Sequence, residues 1–194
     1  MTSADHASID QASSRPPLAT AWLHSLVGTF VLGLASAVGD WIWFRYLTDG
    51  ALAPALGHGL LFFILLSAVL AATCPAPGRA LVFLLLRLPL LGLLLAGVFY
   101  PLAYAVGYLP ALLLTWIAMW LCMAWAYGGA AGRPESKGII ALRGLLAAIG
   151  SALAFWLVSD MWTQPNPDGP NVLDHLWRWS LAFFPGLLAL FWRR

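Results

Sequence analysis

Apolar positions in this chain neither alternate nor recur every three to four residues; they run on. Six stretches, 22–47, 56–74, 80–106, 109–127, 139–162 and 172–192, approach or exceed the length of about twenty residues that a helix needs to cross about 30 Å of hydrocarbon. The separators are short and carry breaker chemistry: Thr48, Asp49 and Gly50; Pro75 to Gly78; Gly107 and Tyr108; residues 128–138; and the run from Gln164 to Pro170. The pattern predicts an all-α integral membrane protein, with six transmembrane helices in one bundle over 21–194. Residues 1–20, rich in Ser, Ala and Pro, read as a disordered polar tail. There is neither a separate soluble domain nor an internal repeat.

Orientation follows from the basic residues. With six spans, Arg15, Arg79, Arg87, Arg133, Lys137, Arg143, Arg193 and Arg194 fall on one side, eight of the ten cations, leaving Arg45 and Arg178 opposite. By the positive-inside rule the tail and the C-terminus are both cytoplasmic. Trp41, Trp43, Tyr46, Tyr108, Trp162, Trp177 and Trp179 then lie near the outer interface, and Trp22, Trp125, Tyr127 and Trp192 near the inner one, where amphipathic rings are favoured. Trp116 and Trp120 break the pattern: four apart, they share one face inside the fourth span. Ala35, Ser36 and Ala37 imitate a signal-peptide cleavage site. The residues ahead hold Asp5 and Asp10 against one Arg15, however, and the apolar run continues past the cut, so the segment reads as a span.

Composition narrows the classes further. Hydrophobic residues make up 61% of the chain and charged ones 9%, too few to clothe a soluble domain. Soluble enzyme, secreted disulfide scaffold, disordered chain and nucleic-acid binder are excluded, and a net charge of +2 implies no anionic partner. Cys74 and Cys122, each in or beside an apolar run, read as free thiols.

Few polar groups could carry chemistry. Arg87 and Arg143 lie one to two turns inside the cytoplasmic ends of their spans, either snorkelling to headgroups or lining a lipid-accessible cavity. Asp40, His58, Asp160, Asp174, His175 and Arg178 gather near outer helix ends. They lack metal-ligand spacing and read as a structural polar cluster, with Asp174 and Arg178 paired four apart. Neither a nucleophile elbow nor a mid-membrane carboxylate occurs, so no catalytic residue, metal or cofactor is assigned. Small residues stripe the fifth span (Gly144, Ala147, Ala148, Ser151, Ala154) and the first (Gly28, Gly33, Ser36, Ala37), allowing close helix approach. Pro89, Pro101 and Pro185 are expected to kink or break their helices unless neighbours satisfy the freed carbonyls. Trp116 and Trp120, with Tyr100 and Tyr104 of the neighbouring span and Ser151 of the fifth, are the candidate wall of a lipid-sized pocket.

The run from Pro170 to Gly186, Pro-Asn-Val-Leu-Asp-His-Leu-Trp-Arg-Trp-Ser-Leu-Ala-Phe-Phe-Pro-Gly, resembles the entry into the last helix of the Insig (insulin-induced gene) family. The order of helices and loops over 110–194 is similar too, whereas the first half matches only in span spacing. The resemblance implies a six-span bundle with cytoplasmic termini whose cavity admits a neutral lipid, diacylglycerol- or sterol-like. As in bacterial members, it also implies a trimer in the cell's inner membrane. The chain lacks the animal family's Gln early in the fourth span, since Gln11 and Gln164 lie outside spans, and has Gly128 and Gly129 where a loop Asp regulates partners. Sterol-dependent retention of a partner therefore does not carry over. A Trp-rich five-span family, the translocator protein group, is set aside because its Trp-x-Pro-Pro signature is missing. Two other classes remain open: a small transport or export subunit, and a lipid-modifying enzyme using the outer Asp and His cluster.

Overall fold

The structure is a computed structural model, and it describes residues 18–46, 52–132, 135–158 and 171–192. Among these there are seven α-helices and no strand: α1 (Leu18–Tyr46), α2 (Leu52–Ala72), α3 (Pro77–Leu85), α4 (Leu88–Val106), α5 (Tyr108–Ala130), α6 (Lys137–Val158) and α7 (Val172–Phe191). Over its described residues each expected apolar stretch is largely helical, and the third is divided between α3 and α4. Four stretches, Leu18–Gly39, Pro77–Val106, Leu109–Ala130 and Lys137–Val158, are long and apolar enough to cross a membrane. Residues 1–17 of the expected tail, the loop of Thr48, Asp49 and Gly50, and the segment from Asp160 to Pro170 lie outside the described residues. Residues 18–20, read as tail, belong to α1.

The helices close into a ring. α1 packs most extensively on α7, α7 on α6, α6 on α5, α5 on α4, α4 on α2, and α2 back on α1; α3 lies against α2 and α5. The sequence logic of this packing is inverted relative to a soluble protein. On α6 the small residues Gly144, Ala147, Ala148 and Ser151 are buried, while Leu142, Leu145, Leu146, Ile149 and Leu153 point outward. A lipid surround gives Leu no reason to be inside, so helices associate where small residues let backbones approach and van der Waals contact is densest. At Gly144 an added Cβ would lie 3.0 Å from Leu121 Cα, which sets how closely α6 approaches α5. The other expected stripe behaves alike: Gly28, Gly33, Ser36 and Ala37 of α1 are all buried. Ser180 Oγ donates across that seam to Thr29 O at 3.4 Å.

Hydroxyls inside the bundle mostly answer to their own helix. Ser25 donates to Ala21 O (2.7 Å), Thr29 to Ser25 O (2.8 Å) and Ser67 to Phe63 O (2.7 Å), so each is dehydrated without loss of its hydrogen bond. Thr73 likewise donates to Leu70 O (2.8 Å) and also shares a bond with Tyr127 between α2's end and α5, their oxygens 2.7 Å apart. Tyr127, read as an interfacial ring, is buried and packs edge-on against Phe191.

Pro89 explains the division of the third stretch. It has no N–H for the Leu85 carbonyl and its ring would clash there, so α3 stops at Leu85 and α4 begins at Leu88. Arg87 N turns to Leu84 O (3.0 Å), which releases the Phe83 carbonyl; Arg87 Nη1 recovers it at 3.1 Å, with the guanidinium 3.6 Å from the Phe83 ring centroid. Helices continue through Pro101 and Pro185. The turn between α4 and α5 is the single residue Gly107, whose φ of +92° is strained for any side chain.

Candidate functional site

α5 is apolar on every side, so its sequence does not say which face looks inward. Packing decides it: Met119, Trp120, Met123, Ala124 and Tyr127 are buried, and Trp125 is exposed. Trp120 is 0% exposed and fills the junction of α5, α6 and α7. Its six-membered ring lies directly on the α7 backbone at Gly186, where a Cβ would collide with both that ring and Ser151 Oγ.

One helical turn away, Trp116 begins an aromatic layer. Its ring stacks on Phe183 (6.0 Å, 17°) and Phe155 (5.8 Å, 30°), and Trp179 stacks on Phe183 (5.5 Å, 16°). Trp120 meets Trp116 edge-on at 6.5 Å. Such offset and edge contacts add about 0.5–1.5 kcal/mol each beyond burial. Trp179, expected at the outer interface, is thus part of a layer joining α5, α6 and α7.

Outside this layer an apolar groove runs between α5 and α6. Leu109, Leu112, Leu113 and Trp116 line one side, Ala152, Phe155 and Trp156 the other, around a space of about 30 Å³ that opens to the surroundings. Trp116 borders the groove and Trp120 lies behind it. Ser151, adjoining Ala152, is 0% exposed. The Nε1 of Trp116, the Nε1 of Trp120 and the Oγ of Ser151 are buried without a hydrogen-bond partner. Tyr104 does not join them: it is 96% exposed on the outside of α4, and the Tyr100 side chain lies outside the described residues. The sequence reading missed Ala152, Phe155 and Trp156. Their three- and four-residue spacing is a signal, as is that of Leu109, Leu112, Leu113 and Trp116, but only once α5 and α6 are known to be neighbours.

The polar residues at the start of α7 form the expected local pair. Arg178 Nη2 meets Asp174 Oδ2 at 2.8 Å, and Trp177 Nε1 donates to Asp174 Oδ1 at 2.8 Å. Asn171 caps the helix by accepting from Leu173 N (3.0 Å) and Asp174 N (3.4 Å). His175 is half-buried in the same turn, whereas Asp160 and the side chains of Asp40 and His58 lie outside the described residues. Among the described residues no three of His, Cys, Asp and Glu come together, and Cys74 (buried) and Cys122 (exposed) are free thiols.

At the opposite end, Arg143 Nη2 pairs with Glu135 Oε1 at 3.0 Å, both side chains largely covered. Glu135, the only Glu in the chain, thereby ties the residues just before α6 to the second turn of that helix. No family model, curated protein or solved structure matches this chain.

Proposed function

We propose that the chain is an Insig-like membrane protein that binds a neutral lipid, diacylglycerol- or sterol-like, along the α5–α6 face of its bundle. In this reading it spans a bacterial inner membrane six times, has both termini in the cytoplasm and assembles as a homotrimer. The observation that carries the reading is the shallow apolar groove ending at Trp116, open toward the surroundings and lined by Leu, Ala, Phe and Trp side chains along which an acyl chain or a ring could lie. Trp120 closes the groove from behind, so in this reading the lipid lies along the lateral face.

Native mass spectrometry of the purified full chain tests the binding. A stoichiometric neutral lipid retained after detergent exchange is the expected result. Turnover of an added lipid would favour an enzyme, and absence of any retained or added lipid would defeat the proposal.

Orientation has its own test, run after Cys74 and Cys122 are replaced by Ser. Cysteine placed by Asp49→Cys or Asp168→Cys should react with an impermeant maleimide on intact cells, and Ser136→Cys only after lysis. Labelling at position 136 from outside would sink the six-span arrangement.

A further inference from the structure

Three polar groups are without partners in this apolar interior: Trp116, which lines the groove, and the fully buried Trp120 and Ser151 behind its wall. Ser25, Thr29 and Ser67 show what a buried hydroxyl on these helices ordinarily does: it bonds the carbonyl four residues back. Ser151 does not. Leaving one buried donor unsatisfied costs about 1–3 kcal/mol, and here three are gathered within adjoining turns of α5 and α6.

Their depth is informative. Trp116 and Trp120 lie 8 and 12 residues into α5, about 12 and 18 Å from its start. Ser151 lies 14 residues into α6, as Trp116 lies 14 residues before the end of antiparallel α5, so the two share a level. Half the hydrocarbon thickness is about 15 Å, which puts all three close to the membrane midplane. The ester oxygens of a glycerolipid and the hydroxyl of a sterol sit at the hydrocarbon boundary, a dozen ångströms away.

Resting on the lipid-binding reading above, we infer that the groove takes a neutral lipid with a flat carbonyl-bearing ring held at mid-membrane, of the isoprenoid-quinone type. An indole N–H only donates, so the complementary group must accept, which suits a ring carbonyl and excludes an ammonium. The ring enters at Ala152, where the opposing side chain is smallest, and stacks on the Trp116 and Phe155 layer. Trp116 turns about its side-chain bonds to present its N–H, and the isoprenoid tail follows Leu112, Leu113 and Leu109 toward the end of α5. The inference concerns binding alone.

The test uses the full chain in detergent, with decylubiquinone and 1,2-dioleoylglycerol as probes, read by native mass spectrometry and thermal unfolding. A saturable one-to-one decylubiquinone adduct that raises the melting temperature is expected. Ala152→Phe, which fills the groove from its open side, should weaken that adduct at least about tenfold. Trp116→Phe, which keeps a ring and deletes the N–H, should do the same. Melting without probe shows that each variant is folded, and Ala152→Phe decides the matter should Trp116→Phe fail to fold. An adduct unchanged in Ala152→Phe overturns the inference. Binding of dioleoylglycerol but not decylubiquinone overturns it and leaves the broader lipid-binding proposal standing. Failure of both probes overturns both.

Discussion

Trp120→Ala should lower the unfolding free energy by about 3 kcal/mol or more, measured by denaturant or thermal unfolding in detergent micelles. The indole is 0% exposed and touches α6 and α7 at once, so truncation opens a cavity that three helices must collapse into or leave void. Lipid tails are as apolar as the core, so the loss is one of packing contacts and not of water exclusion. Trp125→Ala, on the exposed face of the same helix, is the control and should cost less than about 1 kcal/mol. Equal losses at the two positions would mean that Trp120 does not hold the α5, α6 and α7 junction.

Gly186→Ala should be comparably damaging although it adds one methyl group. That methyl would overlap the Trp120 ring and Ser151 Oγ, and since both are packed from behind, relief requires α7 to move away. Overpacking of this kind costs about 1–3 kcal/mol, toward the upper end where no flexible side chain can yield. Gly97→Ala on α4 meets nothing within 4 Å and should be neutral within about 1 kcal/mol. A Gly186→Ala protein that melts like Gly97→Ala would contradict the backbone-on-indole contact.

These two sites show what could be read from the chain and what could not. The small-residue stripes on α1 and α6 were legible because a run of Gly, Ala and Ser amid Leu lets membrane helices approach, and all but the half-buried Ala154 are buried. Asp174 and Arg178 were legible through their spacing, and the break before Pro89 through the missing N–H. The inward face of α5 was not legible. Leu, Ile, Ala and Met surround that helix, so no amphipathic stripe separates core from lipid, and Trp116 and Trp120 stood out only by depth. The same ambiguity put Tyr104 on the pocket wall, where α4 in fact turns it outward. Trp179 was read as an interfacial ring because of its place near a helix start, yet the ring packs on Phe183 one turn along α7 and on Phe155 of the neighbouring α6. Glu135 drew no attention in sequence, although a lone Glu eight residues before Arg143 was a signal available there. Local spacing is written in the chain; which helices are neighbours is not.

The pairing of α1 with α7 bears on how the protein is made. Thr29 and Ser180, joined across that seam, are 151 positions apart. Ribosomes add about 5–20 residues per second, so α1 enters the membrane some 8–30 s before its partner exists. During that interval α2 can cover the Gly28 side of α1 through Val69, whereas Gly33 and the Thr29 carbonyl wait for Ser180. Closure of the ring is consequently a late event in biogenesis.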